Sequence, residues 1–374
     1  MIQPLEFRKN ANPLTIGVEM EIQVLKETLQ LVPRAPEVLQ YVGNDQITKE
    51  MFRSTLELIT GVCTNVDQVK EDLLKILYTV REAGNSLGIV FAGTGTHPNA
   101  DYNERILSAS PRYHMLLDRN QWLIRRMAVY GLHVHIAVPD GDSCIRFMHF
   151  FLHLLPHLIA LSASSPYWKG IDTGLAASRP TVYEAHPTSG LPYPVNNWEQ
   201  FHALYQNLIR VGSIQNMKDI WWDIRPSPGF GTLEIRICDG PASMLELESI
   251  VAWIHLLAHW FYAEGKEIAD IRPANWILRE NKGRAIRYGT EAEIIDHITL
   301  NTCPVSDDIR AWIQKLTPYV ERLGYQKYIA CIEDLLTKGN SSARQRLIRK
   351  QSNDIRSVIL HNIREFDKGE PIWK

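Results

Sequence analysis

Acidic, basic and imidazole side chains recur in this 374-residue sequence at a spacing of two residues. In an extended strand, residues i and i+2 point to the same side, so each pair would share one face of a sheet. The pairs are Glu19/Glu21, Thr55/Glu57, His133/His135, Asp223/Arg225 and Glu234/Arg236. Neighbouring carboxylates repel each other and are a poor choice for a face that only meets water. The pairs therefore predict a polar face that binds a cation.

The residue types indicate which cation this face would hold. Four glutamates with imidazole and no thiolate suit Mg²⁺ or Mn²⁺ better than structural zinc. Magnesium held by a few carboxylates usually shares its coordination shell with phosphates, which nearby cationic side chains could also contact. Those cationic residues are Lys169, Arg179, Lys218, Arg225 and Arg236. The sequence contains no P-loop, GxGxxG or HExxH motif, so those nucleotide and zinc sites are not predicted.

The elements that position these pairs read as strands with one apolar face. Val18, Met20 and Ile22 alternate with the first pair of glutamates, and the other strands show the same period of two. Helices are predicted at about 64–84, 111–131, 143–162 and 198–211, with a long functional loop at 163–197 and a turn at Pro226–Gly231. We expect a single α+β domain over 1–374, with a mixed core at 1–240 and a mainly helical portion at 241–374.

Composition limits the partners and the location that we expect. The net charge is -2, which gives no reason to expect nucleic acid or an acidic membrane as a partner. Five widely spaced cysteines without a CxxC motif predict reduced thiols and a cytoplasmic protein. The apolar stretch Phe147–Ala163 is too short and too polar for a membrane span. His149, His153 and His157 line one side of a helix among Phe and Leu residues, which favours a structural role.

The motifs, taken in order, resemble the type 2 glutamate–cysteine ligase family, in its carboxylate–amine ligase subfamily. They are GVEMEI (17–22), ELIT (57–60), GTHP (95–98), GLHVHI (131–136), ASRP (177–180), WDIRPSP (222–228) and GTLEIRICD (231–239). The order of the ExE, HxH and ExR pairs is also similar to the distant glutamine synthetase pattern. The resemblance implies a curved antiparallel sheet that forms a funnel, with helices packed outside and the active site on the concave face.

The resemblance also implies a reaction and roles for particular residues. ATP and Mg²⁺ would convert the γ-carboxylate of glutamate to an acyl phosphate, which the amine of cysteine would attack. The implied metal ligands are Glu19, Glu21, Glu57, His133 and Glu234. The implied phosphate or substrate contacts are the catalytic residues Arg236 and Arg225 and the nucleotide-binding residues His135 and Arg179. Lys218 is added to the nucleotide-binding residues because of its charge, not because of the resemblance. A homodimer is implied as well.

Three alternatives to this function stay open at the level of the sequence. The same ligase chemistry could use a different acid or amine, because the recognised motifs concern ATP and metal rather than the acceptor. A phosphotransferase of the guanido-kinase type could use a related sheet. A non-catalytic binding protein could keep the fold, although the retained charged pairs argue against this.

Overall fold

A seven-stranded antiparallel sheet carries the polar pairs and lies at the centre of the fold. The structure, a computed structural model, describes residues 5–101, 106–265 and 272–373. In chain order, its strands are β1 (Ile16–Lys26), β2 (Ile47–Lys49), β3 (Thr55–Ile59), β4 (Ile89–Ala92), β5 (Leu132–Ala137), β6 (Tyr167–Trp168), β7 (Ile171–Asp172), β8 (Ser189–Gly190), β9 (Trp221–Trp222), β10 (Ile224–Ser227), β11 (Thr232–Ile235), β12 (Glu293–Ile295) and β13 (Thr302–Pro304). The sheet has the order β10-β11-β5-β1-β3-β2, with β4 also paired to β1. The other strands form two-stranded sheets.

Helices cover one face of this sheet and form most of the C-terminal portion. They are α1 (Ala35–Val42), α2 (Val66–Leu87), α3 (Pro111–Asn120), α4 (Trp122–Arg125), α5 (Gly141–His153), α6 (Leu155–Ser162), α7 (Arg179–Tyr183), α8 (Trp198–Arg210), α9 (Met244–Trp260), α10 (Asn275–Tyr288), α11 (Val305–Leu323), α12 (Gln326–Lys338), α13 (Ser341–Ser352) and α14 (Ile355–Lys368). The expected α+β class with an antiparallel sheet is confirmed.

The alternation predicted for the strands separates an apolar face from a polar one. Val18 and Met20 of β1 pair with Val134 and Leu132 of β5, and all four side chains are buried. Helix α2 packs behind β1 and β3, α9 behind β5, and α5 behind β10 and β11. Burying one such aliphatic side chain contributes about 1.5–3 kcal/mol. Because side chains alternate along a strand, the register that buries these residues places Glu19, Glu21, His133 and His135 on the opposite face.

Two helices predicted as continuous are broken in the structure. The helix expected at 111–131 ends at Asn120, and Gln121 then adopts a φ of 48°, which separates α3 from the short α4. The helix expected at 143–162 is divided into α5 and α6, which meet at an angle of 61°. Pro156 lies in the first turn of α6, where its missing N–H and its ring would interrupt a continuous helix.

The other expectations for loops and helices hold in part. The segment 163–197 is largely irregular, as predicted, but it contains α7. The helix predicted at 198–211 is confirmed as α8. The C-terminal portion is mainly helical, with the β12–β13 hairpin as an element that the sequence did not predict.

No single helix among the described residues is long and apolar enough to cross a bilayer. Helices α5 and α6 together are long and apolar enough, but they are bent relative to each other. Most of their residues are buried in the protein.

Candidate active site

The polar face of the sheet forms the floor of a cleft of about 820 Å³. Of the ten residues singled out in the sequence for metal, nucleotide and catalytic roles, seven lie on strands of the sheet. Arg179 is the first residue of α7, Arg236 directly follows β11, and Lys218 precedes β9. All ten line this cleft, namely Glu19, Glu21, Glu57, His133, His135, Arg179, Lys218, Arg225, Glu234 and Arg236. The antiparallel register brings the strand residues together, since β10, β11, β5, β1 and β3 are successive neighbours in the sheet.

Glu19 lies between the two histidines of β5. Its Oε2 is 3.1 Å from His133 Nδ1, and its Oε1 is 3.3 Å from His135 Nε2. Burial alone would raise the pKa of Glu19, but the bonds to both imidazoles hold it well below its ordinary value. Glu19 is therefore ionised at neutral pH.

The two histidines differ in their charge. Burial, together with the positive charge of Arg236, lowers the pKa of His133 to about 4, so this imidazole is neutral. Burial would also lower the pKa of His135, but the carboxylates of Glu234 and Glu19 raise it above its ordinary value. His133 thus offers a lone pair to a cation, whereas His135 favours the protonated form that attracts phosphate.

Glu21, Glu50 and Glu57 form a cluster of three carboxylates beside this pair. Each offers one oxygen within 4.8 Å of the oxygens of the other two. Glu21 accepts a hydrogen bond from the backbone N–H of Gly131 at 2.5 Å, and Glu57 accepts one from Thr48 Oγ1 at 3.0 Å. Glu21 lies directly opposite Glu57 in the register of β1 and β3.

The carboxylates of this cluster resist ionisation. Burial, together with the nearby charge of Glu50, raises the pKa of Glu21 to about 7. Burial also raises the pKa of Glu50 and, together with repulsion from neighbouring carboxylates, raises that of Glu57 well above its ordinary value. None of the three forms an ion pair with another described residue. Such a cluster needs a cation between its members to hold full negative charge.

Glu234 is paired with both arginines that the sequence singled out as catalytic. Arg225 donates to Glu234 Oε2 from Nη2 at 2.6 Å and from Nε at 3.0 Å, and Arg236 donates to Oε1. Burial would raise the pKa of Glu234, but these two guanidinium groups lower it strongly. The remaining Nη1 of Arg225 donates to the carbonyl of Ile220 at 2.8 Å. Arg225 therefore holds Glu234 in place, whereas Arg236 is 20% exposed towards the cleft.

Arg179 enters the cleft from α7 and passes over Gly131. A Cβ atom at position 131 would lie 2.2 Å from Arg179 Nη2, so only glycine leaves room for this guanidinium. The guanidinium carbon lies 5.1 Å from the ring centre of Tyr183, and Nη1 donates to the carbonyls of Arg236 and Ile237. Gly131, the ring of Tyr183 and the two carbonyl groups thus fix the position of the Arg179 guanidinium.

Several residues singled out in the sequence lie elsewhere or only at the edge. Lys218 is exposed at the edge of the cleft. Lys169 lies outside the cleft lining and forms an ion pair with Asp101 at 3.1 Å. The prediction that Asp223 and Arg225 share one face of a strand is wrong. Asp223 lies between β9 and β10 and is fully buried, with its Oδ2 2.7 Å from Lys282 Nζ.

The histidine stripe of α5 and α6 lies away from the cleft, in packing contacts. His149 Nε2 lies 2.8 Å from the carbonyl of Val195, and His157 Nε2 lies 2.7 Å from Asp308 Oδ2. The ring of His153 contacts that of His297, with centres 4.4 Å apart. These contacts agree with the structural role predicted for the stripe.

Sequence reasoning missed functional candidates on both walls of the cleft. Glu50 follows β2 and completes the carboxylate cluster. Its spacing of two from Thr48 was a signal, although a three-residue strand is too short to be predicted from alternation. Arg112 and Tyr113 on α3 also line the cleft, and no motif marked them.

The donor set fits a hard divalent cation such as Mg²⁺ or Mn²⁺. The carboxylate cluster supplies oxygen ligands without a competing cationic partner, and Glu19, Glu57 and His133 form a second group of three donors within 4.8 Å of one another. The Nε2 of His133 is buried without a hydrogen-bond partner among the described residues, as expected of an atom that awaits a ligand.

Comparison with known proteins identifies the family to which the chain is similar. The family model described as glutamate–cysteine ligase family 2 matches residues 15–361. A protein of Bdellovibrio bacteriovorus with the provisional name glutamate–cysteine ligase 2 is 42% identical over 93% of this chain and 93% of its own length. A protein of Gloeobacter violaceus with the same provisional name is 39% identical over 95% of this chain and 97% of its own length.

A solved structure shares the fold at much lower sequence identity. The glutamate–cysteine ligase of Francisella tularensis, solved in complex with AMP, superposes with a TM-score of 0.69. The superposition covers 96% of this chain and 89% of that chain, at 14% sequence identity. The antiparallel sheet with its outer helices is therefore an architecture that this ligase also has.

Proposed function

The chain belongs to glutamate–cysteine ligase family 2, and we propose that it is an ATP-dependent ligase that joins the γ-carboxylate of glutamate to the amine of cysteine. The products would be γ-glutamylcysteine, ADP and phosphate. One observation carries the proposal: a half-buried carboxylate cluster without cationic partners among the described residues lies beside an imidazole and an arginine in a single cleft. This combination suits metal-assisted phosphoryl transfer.

The reaction needs an activated carboxylate, since an amine does not displace oxygen from a carboxylate at neutral pH. Transfer of the γ-phosphoryl group of ATP to the γ-carboxylate of glutamate forms γ-glutamyl phosphate and releases ADP. The amine of cysteine then attacks the acyl carbon, and the tetrahedral intermediate collapses to the amide as phosphate leaves. We therefore propose no covalent enzyme intermediate.

The residues of the chain would position the reactants and neutralise their charge. Arg236 would contact the phosphoryl group during transfer, and Arg225 would orient Glu234 beside it. His135 and Arg179 would contact the phosphates of the nucleotide, with Lys218 at the edge of the cleft. Both His135 and Arg179 are buried, so their charges would act on a desolvated ligand.

We propose Glu19, Glu21, Glu50, Glu57, Glu234 and His133 as the residues that hold Mg²⁺, with Mn²⁺ as a substitute. When bound, the metal would neutralise negative charge on the phosphates. Glu50 is an addition to the ligands inferred from the sequence. The raised pKa of Glu57 and the unpartnered Nε2 of His133 support this assignment.

Broader properties of the chain also belong to this proposal. Residues 1–374 would form one domain, which is supported by a continuous apolar cluster that runs from Ile16 in β1 to Phe366 in α14. A cytoplasmic location is supported by five cysteines that are all free thiols. A homodimer rests on the family resemblance, and sedimentation velocity would test it directly.

The proposal is tested by ADP release with Mg-ATP, L-glutamate and each of a panel of amines, followed by mass spectrometry of the products. We expect cysteine to stimulate ADP release and γ-glutamylcysteine to accumulate in equal amount. Stimulation by another amine would keep the ligase chemistry and reassign the acceptor. ADP release without amide formation, at any amine, would contradict the proposed function and favour a phosphotransferase.

A further inference from the structure

Phe230 is an aromatic side chain at the tip of the turn between β10 and β11, and it is 65% exposed. A single exposed apolar residue is ordinary on a protein surface. Phe230 differs in that it lines the cleft, next to Pro228 in the same turn. Its ring also meets the ring of His135 edge-on, with centres 5.9 Å apart.

The turn that carries Phe230 is held in one conformation by the N-terminal segment. Gly231 has a φ of 69°, and a Cβ atom there would lie 2.2 Å from the carbonyl oxygen of Arg8. Asn10 Nδ2 donates to the carbonyl of Gly231 at 2.6 Å, and the N–H of Arg8 donates to the carbonyl of Pro228 at 2.9 Å. The aromatic face is therefore presented to the cleft by a rigid backbone, which lowers the entropy cost of binding against it.

The order of side chains along the cleft, from the Phe230 ring to the charged residues, matches the order of chemical groups along a nucleotide. One imidazole separates Phe230 from the charged centre, since His135 Nε2 lies 3.3 Å from Glu19 Oε1 and 4.0 Å from Glu234 Oε1. ATP has a flat aromatic base at one end and a highly charged triphosphate at the other. An apolar aromatic face followed by an imidazole and a group of carboxylates and arginines is complementary to that order.

We propose that Phe230 stacks on the adenine base of ATP, and that the triphosphate extends from there past His135 towards Glu19. This inference rests on the proposed function and adds an orientation to it. The carboxylate cluster with Glu50, together with Tyr113 on α3, would then lie at the opposite end of the cleft. That end is left for the acid and the amine.

The test separates binding of the base from binding of the phosphates. Equilibrium binding of ATP and of inorganic tripolyphosphate, both with Mg²⁺, is measured by calorimetry for the wild-type chain and for Phe230→Ala. We expect the variant to bind ATP about 5- to 150-fold more weakly, which is the range for loss of one base–aromatic stack. Tripolyphosphate has no base, so its affinity should be unchanged. Phe230→Trp should retain ATP affinity, because it keeps an aromatic face.

Val211→Ala is the matched control, because Val211 is 68% exposed and lies outside the cleft lining. It should bind both ligands as the wild type does. Equal ATP affinity in Phe230→Ala and wild type would overturn the inference alone, and so would an equal loss of both ligands. Failure of the wild-type chain to bind ATP would instead overturn the proposed function and the inference with it.

Discussion

Glu21 on β1 and Glu57 on β3 are directly opposed in the antiparallel register, and neither carboxylate forms an ion pair with a described residue. Ionisation of both carboxylates would destabilise the sheet, and repulsion from Glu21 is one reason why the pKa of Glu57 is raised. The arrangement therefore costs stability in the absence of a cation, and this cost is what a metal ion would relieve.

Glu57→Gln should abolish Mg²⁺-dependent ATP turnover and stabilise the metal-free fold. In the metal-free fold Glu57 either carries a charge opposite Glu21 or retains a proton that the unfolded chain has released, and both cost stability. Glutamine removes this cost and keeps the hydrogen bond from Thr48, so we expect a gain of about 0.2–1 kcal/mol in the free energy of unfolding. Turnover assays and urea denaturation in EDTA measure the two effects. Glu27→Gln, at an exposed position, is the control and should change neither. Unchanged turnover in Glu57→Gln would contradict the metal assignment.

The contribution of Glu21 to the stability of the metal-free protein should fall as the pH rises from about 4.5 to about 7. Glu21 has a pKa of about 7 in the folded chain, well above the ordinary value of 4.5. Between those values the folded state retains a proton that the unfolded state has released, so raising the pH favours unfolding. Urea denaturation at several pH values in EDTA, for the wild type and for Glu21→Gln, isolates this contribution.

The same pH series with saturating Mg²⁺ provides the complementary result. A bound cation favours the ionised carboxylates, so the difference between wild type and Glu21→Gln should lose its downward slope or reverse it. An identical slope with EDTA and with Mg²⁺ would show that the metal does not bind at this cluster.

Lys282→Met should destabilise the fold strongly. The ammonium group is buried and lies 2.7 Å from Asp223, whose other oxygen accepts a hydrogen bond from Tyr183 at 2.7 Å. Removing one member of a buried pair leaves an uncompensated charge, which typically costs about 3–5 kcal/mol. Urea denaturation gives the value, and the double variant with Asp223→Asn should recover part of the loss. A loss below about 1 kcal/mol in the single variant would refute this assignment.

Gly131→Ala should impair catalysis by displacing Arg179. The added methyl group would occupy the position of the guanidinium Nη2, at 2.2 Å. We expect the KM for ATP to rise and kcat to fall, with the fold retained. Gly283→Ala, where a Cβ meets nothing within 4 Å, is the control and should keep wild-type kinetics. Normal kinetics in Gly131→Ala would exclude Arg179 from the nucleotide site.

The sheet and most of the site could be predicted from the sequence, because successive side chains of a strand point to opposite faces of the sheet. Glu19, His133 and Glu234 lie on the strands that carry their motifs, and the alternation placed each on the polar face. The sequence could not predict which strands are neighbours, so the opposition of Glu21 and Glu57 came only from the register.

The missed residues are those for which local sequence carries little information. Glu50 follows a strand of three residues, which is too short for a period to be recognised. Gln121 breaks a helix through a backbone conformation that its side chain does not indicate. Asp223 leaves the predicted face because the chain passes from β9 to β10 at that point, and tertiary contacts with Lys282 then determine its direction.

The central claim is that ATP activates the γ-carboxylate of glutamate as an acyl phosphate, and isotope transfer tests it most directly. The protein is incubated with Mg-ATP, cysteine and glutamate carrying ¹⁸O in both γ-carboxylate oxygens, and the released phosphate is analysed by mass spectrometry. The proposed chemistry predicts one ¹⁸O atom in each phosphate formed with amide, because the carboxylate oxygen leaves with the phosphoryl group. Amide formation accompanied by unlabelled phosphate would contradict it.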